Sequence, residues 1–385
     1  RLVMQSYRCV LGWSASFETA AEGLIAAASI ALSQIAALTA SRRKQIAKGI
    51  QDIFFGRGIL AERGIQAIGQ VASGGSTHWL AGADSGLRVS ANPASPWSQW
   101  QPISDAGNAP LPGVTDLFVH GTKVYIATEL GIYLWDATTG NHTAVKVGGN
   151  EMAAQTPRCL AVVAGQLVAG TNYTLWRFDE TLHSWNQWIP AGGGIELKLA
   201  ASQIMAATVG GQDFCLVAAL RLMHCANLGG GGATAPDWKS PVLRDAHDQE
   251  LNPGWITSSC VVDTTLYVAT AYQGVWPVQL SNDSGNLKAT VGAALPVAPE
   301  PPDNKPGMGK VLRLVNDGNQ KLYAATTNGL FEFTLQPAGG QWTRVAGSDK
   351  TVITVVLPIG GAVAAGTAAG GLWVRQPTAG GGTEV

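Results

Sequence analysis

The sequence predicts an all-β propeller of about seven four-stranded blades, preceded by an α-helical N-terminal segment. Three observations point there. A strand–turn–strand unit recurs seven times after residue 66. The 385 residues include 48 Gly and only 13% are charged, as expected when tight turns join strands buried on both faces. Residues 14–70 lack the unit and place their apolar residues at helical spacing.

The unit reads Trp79-Leu-Ala-Gly-Ala-Asp-Ser-Gly-Leu87 at its first occurrence and Val124-Tyr-Ile-Ala-Thr-Glu-Leu-Gly-Ile132 at its second. It returns around Ala169, Ala206, Ala269, Ala325 and Ala365, at spacings of 46, 42, 37, 63, 56 and 40 residues from Ala81 onward. Each copy is an apolar strand ending in Ala-Gly or Ala-Thr, a turn usually containing Gly, and a strand opening on Leu or Val. Another apolar strand precedes most copies, as at Leu117–His120 and Val311–Val315, and a polar Trp-bearing strand often follows, as at Trp97–Trp100 and Trp185–Trp188. Four strands in about 40–50 residues is the size of a propeller blade. Small Ala and Gly suit the narrow centre of the ring, and Trp and Leu the space between blade faces. The fourth copy departs from the pattern, with the turn Val209-Gly-Gly-Gln-Asp213 and a long following strand Phe214–Cys225. The seventh copy supplies three strands before the tail 378–385, expected to be flexible. Leu2–Val10 is the segment expected to pair at the edge left open, since exposed edges are usually covered.

The phrases Leu266-Tyr-Val-Ala-Thr270 with Gly274-Val-Trp276, and Val363-Ala-Ala-Gly-Thr367 with Gly370-Gly-Leu-Trp373, resemble repeats of sensor-type propellers such as those of two-component regulators. They are also similar to sialidase-like and sortilin-like repeats. The resemblance covers 66–377 and implies architecture far more than function, because one fold hosts many activities. Ser281-Asn-Asp-Ser-Gly-Asn286 fits the Ser-x-Asp-x-Gly turn of sialidase-like propellers but continues with Leu287 and Lys288. It reads as an ordinary turn.

In the N-terminal segment 1–65, Leu24, Ala28, Leu32, Ile35 and Leu38 share one helix face, and Arg42, Arg43 and Lys44 follow. Leu24, Leu32, Ile35 and the basic trio are the residues expected to join an assembly. Gly23–Ser41 holds no charge, which raises a membrane contact, but seven alanines contribute little transfer energy. A packed helix pair is the favoured expectation. Residues 1–70 carry a net charge of +4 and the rest −5. A total of −1 gives no field favouring nucleic acid. Five scattered cysteines without a Cys-x-x-Cys pair make a poor disulfide framework and a poor zinc site, which slightly favours a reducing, cytoplasmic setting. No metal or cofactor is expected.

The densest polar cluster is Arg244-Asp-Ala-His-Asp248, in the Gly/Pro-rich insertion 227–254. Trp238, Arg244, Asp245, His247 and Asp248 are the candidate ligand- or partner-binding residues, because loops carry function on rigid scaffolds. Paired carboxylates are scarce, and no arginine cluster repeats across the units. The functional expectation is therefore a non-catalytic recognition or scaffold module, with the propeller binding a protein or ligand and the N-terminal helices mediating assembly. The alternatives are a carbohydrate-binding propeller stacking sugars on Trp97, Trp100, Trp185 and Trp188, and a hydrolase or lyase at the propeller mouth.

Overall fold

The computed structural model describes residues 64–385 except 94, 96–98, 153–154, 172–173, 189–200, 220–221, 229–237, 240–242, 246–255, 272, 298–306, 319, 336–339, 349–350, 360, 370, 376–382 and 385. The chain divides between Arg63 and Gly64, and the unit Gly64–Val385 is the one described below.

Among the described residues, twenty-nine strands make six sheets. The first contains β1 (Ala67–Ser73), β2 (Ser76–Ala83), β3 (Gly86–Ser90), β4 (Gln101–Asp105), β5 (Val114–His120), β6 (Lys123–Thr128), β7 (Gly131–Asp136) and β8 (Thr143–Lys146), in the order β1-β2-β3-β4-β8-β7-β6-β5. The second contains β9 (Pro157–Val163), β10 (Gln166–Thr171), β11 (Leu175–Asp179) and β12 (Ser184–Gln187). The third contains β13 (Ala201–Val209), β14 (Gln212–Ala219), β15 (Leu222–Asn227) and β16 (Trp238–Lys239). The fourth contains β17 (Arg244–Asp245), β18 (Ile256–Val262), β19 (Thr265–Thr270), β20 (Val275–Asp283) and β21 (Asn286–Val291). The fifth contains β22 (Val311–Asn316), β23 (Lys321–Thr326), β24 (Gly329–Thr334) and β25 (Thr343–Arg344); the sixth contains β26 (Ile353–Ile359), β27 (Ala362–Thr367), β28 (Leu372–Arg375) and β29 (Thr383–Glu384).

The arrangement is propeller-like, because the inner strands touch in a cycle. β1 meets β5, then β9, β13, β18, β22 and β26 follow in turn, and β26 returns to β1. Closure is tight at that last joint. The Ile65 amide donates to the Thr367 carbonyl at 3.2 Å, and the Thr354 hydroxyl donates to the Ile65 carbonyl. A Cβ added at Gly366 would lie 2.8 Å from Ile65, so only Gly allows the approach.

Two parts of the expected fold class are corrected. About seven separate blades were expected, but five sheets stand apart as single blades and the first two units form one eight-stranded sheet. The join is a parallel pairing of β4 with β8, Ser104 opposite Thr143 and Asp105 opposite Ala144. The chain leaving one blade elsewhere also lies along the outer strand of the next: β17 pairs parallel with β21, and Val297 bridges in parallel to Trp342. In the first sheet this habit is continuous enough to fuse two units. The second correction concerns helix. The described residues contain no α-helix; Ala137–Thr139 is a 3-10 turn. Residues 1–63 with Leu24, Leu32, Ile35, Arg42, Arg43 and Lys44, and the edge-strand segment Leu2–Val10, lie outside the described residues. The outer place in the sixth sheet is held by β29, from within the tail.

The fourth repeat unit is also re-registered. Its expected anchor, Ala206, is exposed on the inner strand β13, whereas Ala218 on β14 is fully buried like the other anchors. Moving the anchor to Ala218 makes the flanking spacings 49 and 51 residues. The Ala-Ala-Thr of β13 imitates the motif, and the supposed long strand Phe214–Cys225 is the hairpin β14–β15.

Packing lies between blades. Apolar faces of neighbouring sheets interdigitate, as Met205, Leu216 and Met223 do with Leu266, Val268 and Val278. Tryptophans at or beside the outer strands of three blades fasten them to the chain before. The Trp185 indole N–H donates to the Val147 carbonyl at 2.9 Å, Trp238 sits edge-on to Trp188 at 5.4 Å, and the Trp342 amide donates to the Pro296 carbonyl at 2.8 Å.

Candidate functional site

The two faces of the ring differ. Inner strands begin on one face, which also carries the turns between second and third strands and the connections between blades. The described strands that flank 188–200, 240–255 and 292–310 end and begin on that face. Among the described residues the opposite face carries the other hairpin turns and a cleft of about 390 Å³ beside Gln166, Arg177 and Asp179.

At the strand-start face the inner strands share one irregularity. Register shifts fall between Val114 and Asp116, Ala201 and Gln203, Ile256 and Ser258, Val311 and Arg313, and Ile353 and Val355. β9 has its counterpart shift at its junction with Thr171 of β10. A bulge leaves one residue unpaired and turns its neighbours' side chains. The extra residues (Thr115, Arg158, Ser202, Thr257, Leu312 and Thr354) form the rim of the axis. Most of their hydroxyls are committed to carbonyls: Thr115 donates to Pro157 at 2.6 Å, Ser202 to Ala218 at 3.1 Å and Thr354 to Gly366 at 3.0 Å. Arg158 is exposed.

On three of these strands the next residue reaches the neighbouring blade. Asp116 Oδ2 accepts the Leu160 amide at 2.9 Å, Gln203 Oε1 accepts the Ser259 amide at 3.1 Å, and Ser258 Oγ accepts the Leu314 amide at 3.0 Å. These three bonds have the same geometry and knit adjacent inner strands. Cys159 Sγ lies in the same layer, 3.7 Å from the Ala201 carbonyl. Arg313 does something different. Its Nη2 spans the ring to Asp116 Oδ1 at 3.3 Å, placing a guanidinium on the axis.

Electrostatics follow from this burial. Desolvation pushes the Asp116 carboxyl above the usual carboxylate range, opposed by Arg313 and by the amides of Leu160 and Leu117. Burial drives the Cys159 thiol up to about 12, assisted by Asp116 and opposed by Arg313 and Arg158. Cys260 is raised to about 12 by burial, and His224 is lowered to about 4 by burial. A thiol is a nucleophile only as thiolate, and burial disfavours that form at Cys159 and Cys260. Among the described residues no three His, Cys, Asp or Glu side chains gather as a metal site.

The candidates from the insertion do not form a described cluster. Trp238 is half-buried on β16 against Trp188. Arg244 and Asp245 form β17, paired with Thr290 and Val291. His247 and Asp248 lie outside the described residues. Sugar stacking on the paired tryptophans is overturned for Trp100, Trp185 and Trp188, which are buried between blades; Trp97 lies outside the described residues. The Ser281–Asn286 segment is the β20–β21 hairpin turn, with Ser284 and Gly285 left-handed and Lys288 paired to Asp283 at 2.7 Å. No helix among the described residues is long and apolar enough to cross a membrane, and 23–41 lies outside them. Sequence reasoning missed Asp116, Arg158 and Arg313. A charge at the second or third residue of an apolar inner strand was their one signal, readable only once those strands are aligned on their bulges.

No family model matches the chain, and no curated protein matches it. Solved structures do. The computationally designed Ika8 protein aligns over 84% of this chain and 86% of its own at 13% identity and a TM-score of 0.51. The extracellular domain of BT4673 from B. thetaiotaomicron aligns over 82% of this chain at 14% identity and a TM-score of 0.57. PorZ, described as an essential bacterial surface component of the type-IX secretion system of Porphyromonas gingivalis, aligns over 82% at 13% identity and a TM-score of 0.54. The chain spans 38% of the BT4673 chain and 46% of the PorZ chain. At such identities the likeness establishes the shared propeller-like fold and nothing finer.

Proposed function

We propose that the chain is a non-catalytic recognition module that binds a protein partner through the face on which its inner strands begin. The observation carrying this reading is the asymmetry of the ring. The strands that flank the longest connections end and begin on that face, and Leu130, 68% exposed at the turn between β6 and β7, projects from it. Exposed loops on a rigid scaffold are the usual place for recognition. The engagement of Asp116 by Leu160 and Arg313 also favours binding over catalysis. Two of the similar structures are an extracellular domain and a bacterial surface component, settings in which recognition domains are common.

The test compares faces. Full-length chain is used as bait in its native host as wild type, Leu130→Glu, and Leu182→Glu on the opposite face, where Leu182 is 69% exposed. Partners retained by wild type and Leu182→Glu but lost from Leu130→Glu support the reading. Loss on Leu182→Glu alone, or no specific partner with any bait, refutes it.

A further inference from the structure

The mouth of the axis has an unbalanced positive charge. Arg313 spends one contact on Asp116, yet a guanidinium carries five N–H donors, and 28% of its side chain remains exposed. Asp116 is buried and fixes Arg313 in place rather than covering it, since its other oxygen is held by the Leu160 amide. Arg158 stands exposed on the rim within Pro157–Leu160, whose Pro157 carbonyl accepts from Thr115 and whose Leu160 amide donates to Asp116, and Arg313 holds the other oxygen of that same Asp116, so both arginines are anchored beside Asp116. No acidic partner of Arg158 is found among the described residues. The rim hydroxyls of Thr115, Ser202 and Thr354 already donate to carbonyls, so the donors available to a ligand are the two arginines.

We propose that Arg158 and Arg313 form a docking point for a single carboxylate, presented by an acidic side chain of the partner protein. This rests on the recognition reading above and adds the chemistry recognised. A carboxylate matches the planar fork of a guanidinium. Residues 71–385 carry a net charge of −5, so the wider field repels a polyanion while the local pair of cations holds one charge.

The probe is the acetylated, amidated tripeptide Ala-Glu-Ala, with Ala-Gln-Ala and inorganic phosphate as controls. The reading is the arginine Nε–H NMR signals of the full-length chain. The signals of Arg158 and Arg313 should move saturably with the Glu peptide and stay still with the Gln peptide. Arg158→Gln should weaken the Glu peptide about tenfold, the scale of one charge-assisted hydrogen bond. Arg158 is exposed, so this variant keeps the core, and Arg158→Lys should recover part of the loss. Still signals, equal movement with the Gln peptide, or a response to phosphate alone would overturn the carboxylate site. Failure of the face comparison above would leave this titration unchanged, so the two proposals fail separately.

Discussion

Thr326 explains why alanine is followed by threonine in so many of the units. Its hydroxyl donates to the Gly329 carbonyl at 2.7 Å and accepts the Asn328 amide at 3.0 Å, entirely buried. Thr128, Thr171, Thr270 and Thr367 use their hydroxyls in the same turn and are equally buried. Thr326→Val keeps the shape and strips both bonds, so it should cost about 1–3 kcal/mol in denaturant unfolding, with Thr326→Ser recovering most of it. A cost no larger than that of an exposed Thr→Val change would contradict this role. His224 governs a pH effect. Burial holds its folded pKa near 4, below the ordinary imidazole value of about 6.5, so the unfolded chain binds the proton first as pH falls. Its contribution is complete above about pH 6.5 and is lost as pH falls toward 4, on the order of 3 kcal/mol in all. His224→Leu should therefore flatten the stability difference between pH 7 and pH 5, and parallel curves for the two proteins would refute the assignment.

At the scale of elements, Gly329 shows how strictly the turns are shaped. Its φ is +113°, and an added Cβ would meet the Ser348 carbonyl at 2.8 Å. Gly329→Ala should cost about 2 kcal/mol. The re-registered unit is testable too. Ala218→Leu overpacks a fully buried site and should cost about 1–3 kcal/mol, whereas Ala206→Leu on exposed β13 should be nearly neutral. The reverse order would restore the original register. The second and third strands were legible in the sequence because each repeat needs a small residue, a turn hydroxyl and a glycine at fixed places, as at Ala325-Thr326 and Gly329. Outer strands such as β16 and β17 have two residues each and no pattern to read. Ala206-Ala207-Thr208 misled because the motif is also what an inner strand looks like when its small residues face the axis. Asp116 and Arg313 were invisible as a pair, since 197 residues separate them and only ring closure brings them together.

Over the whole molecule, closure converts a row of blades into one rigid body with two unlike faces. Ile65, fully buried between the first and sixth sheets, is the pin. Ile65→Ala should cost about 2–5 kcal/mol in one cooperative transition, because opening that joint exposes the faces of both sheets. A separate early transition confined to the sixth sheet would mean that the ring is not a single unit. Fusion of the first two units through β4 and β8 strengthens one arc without covering the strand-start face, where Leu130, Arg158 and the long connections remain. Recognition through that face is the central claim, and site-specific photo-crosslinking tests it most directly. A photoreactive amino acid is placed at Leu130 and, separately, at Leu182, in the full-length chain in its native host. A discrete adduct to one partner protein from position 130 and none from position 182 is the expected result. An adduct from position 182 alone, or from neither, would contradict it.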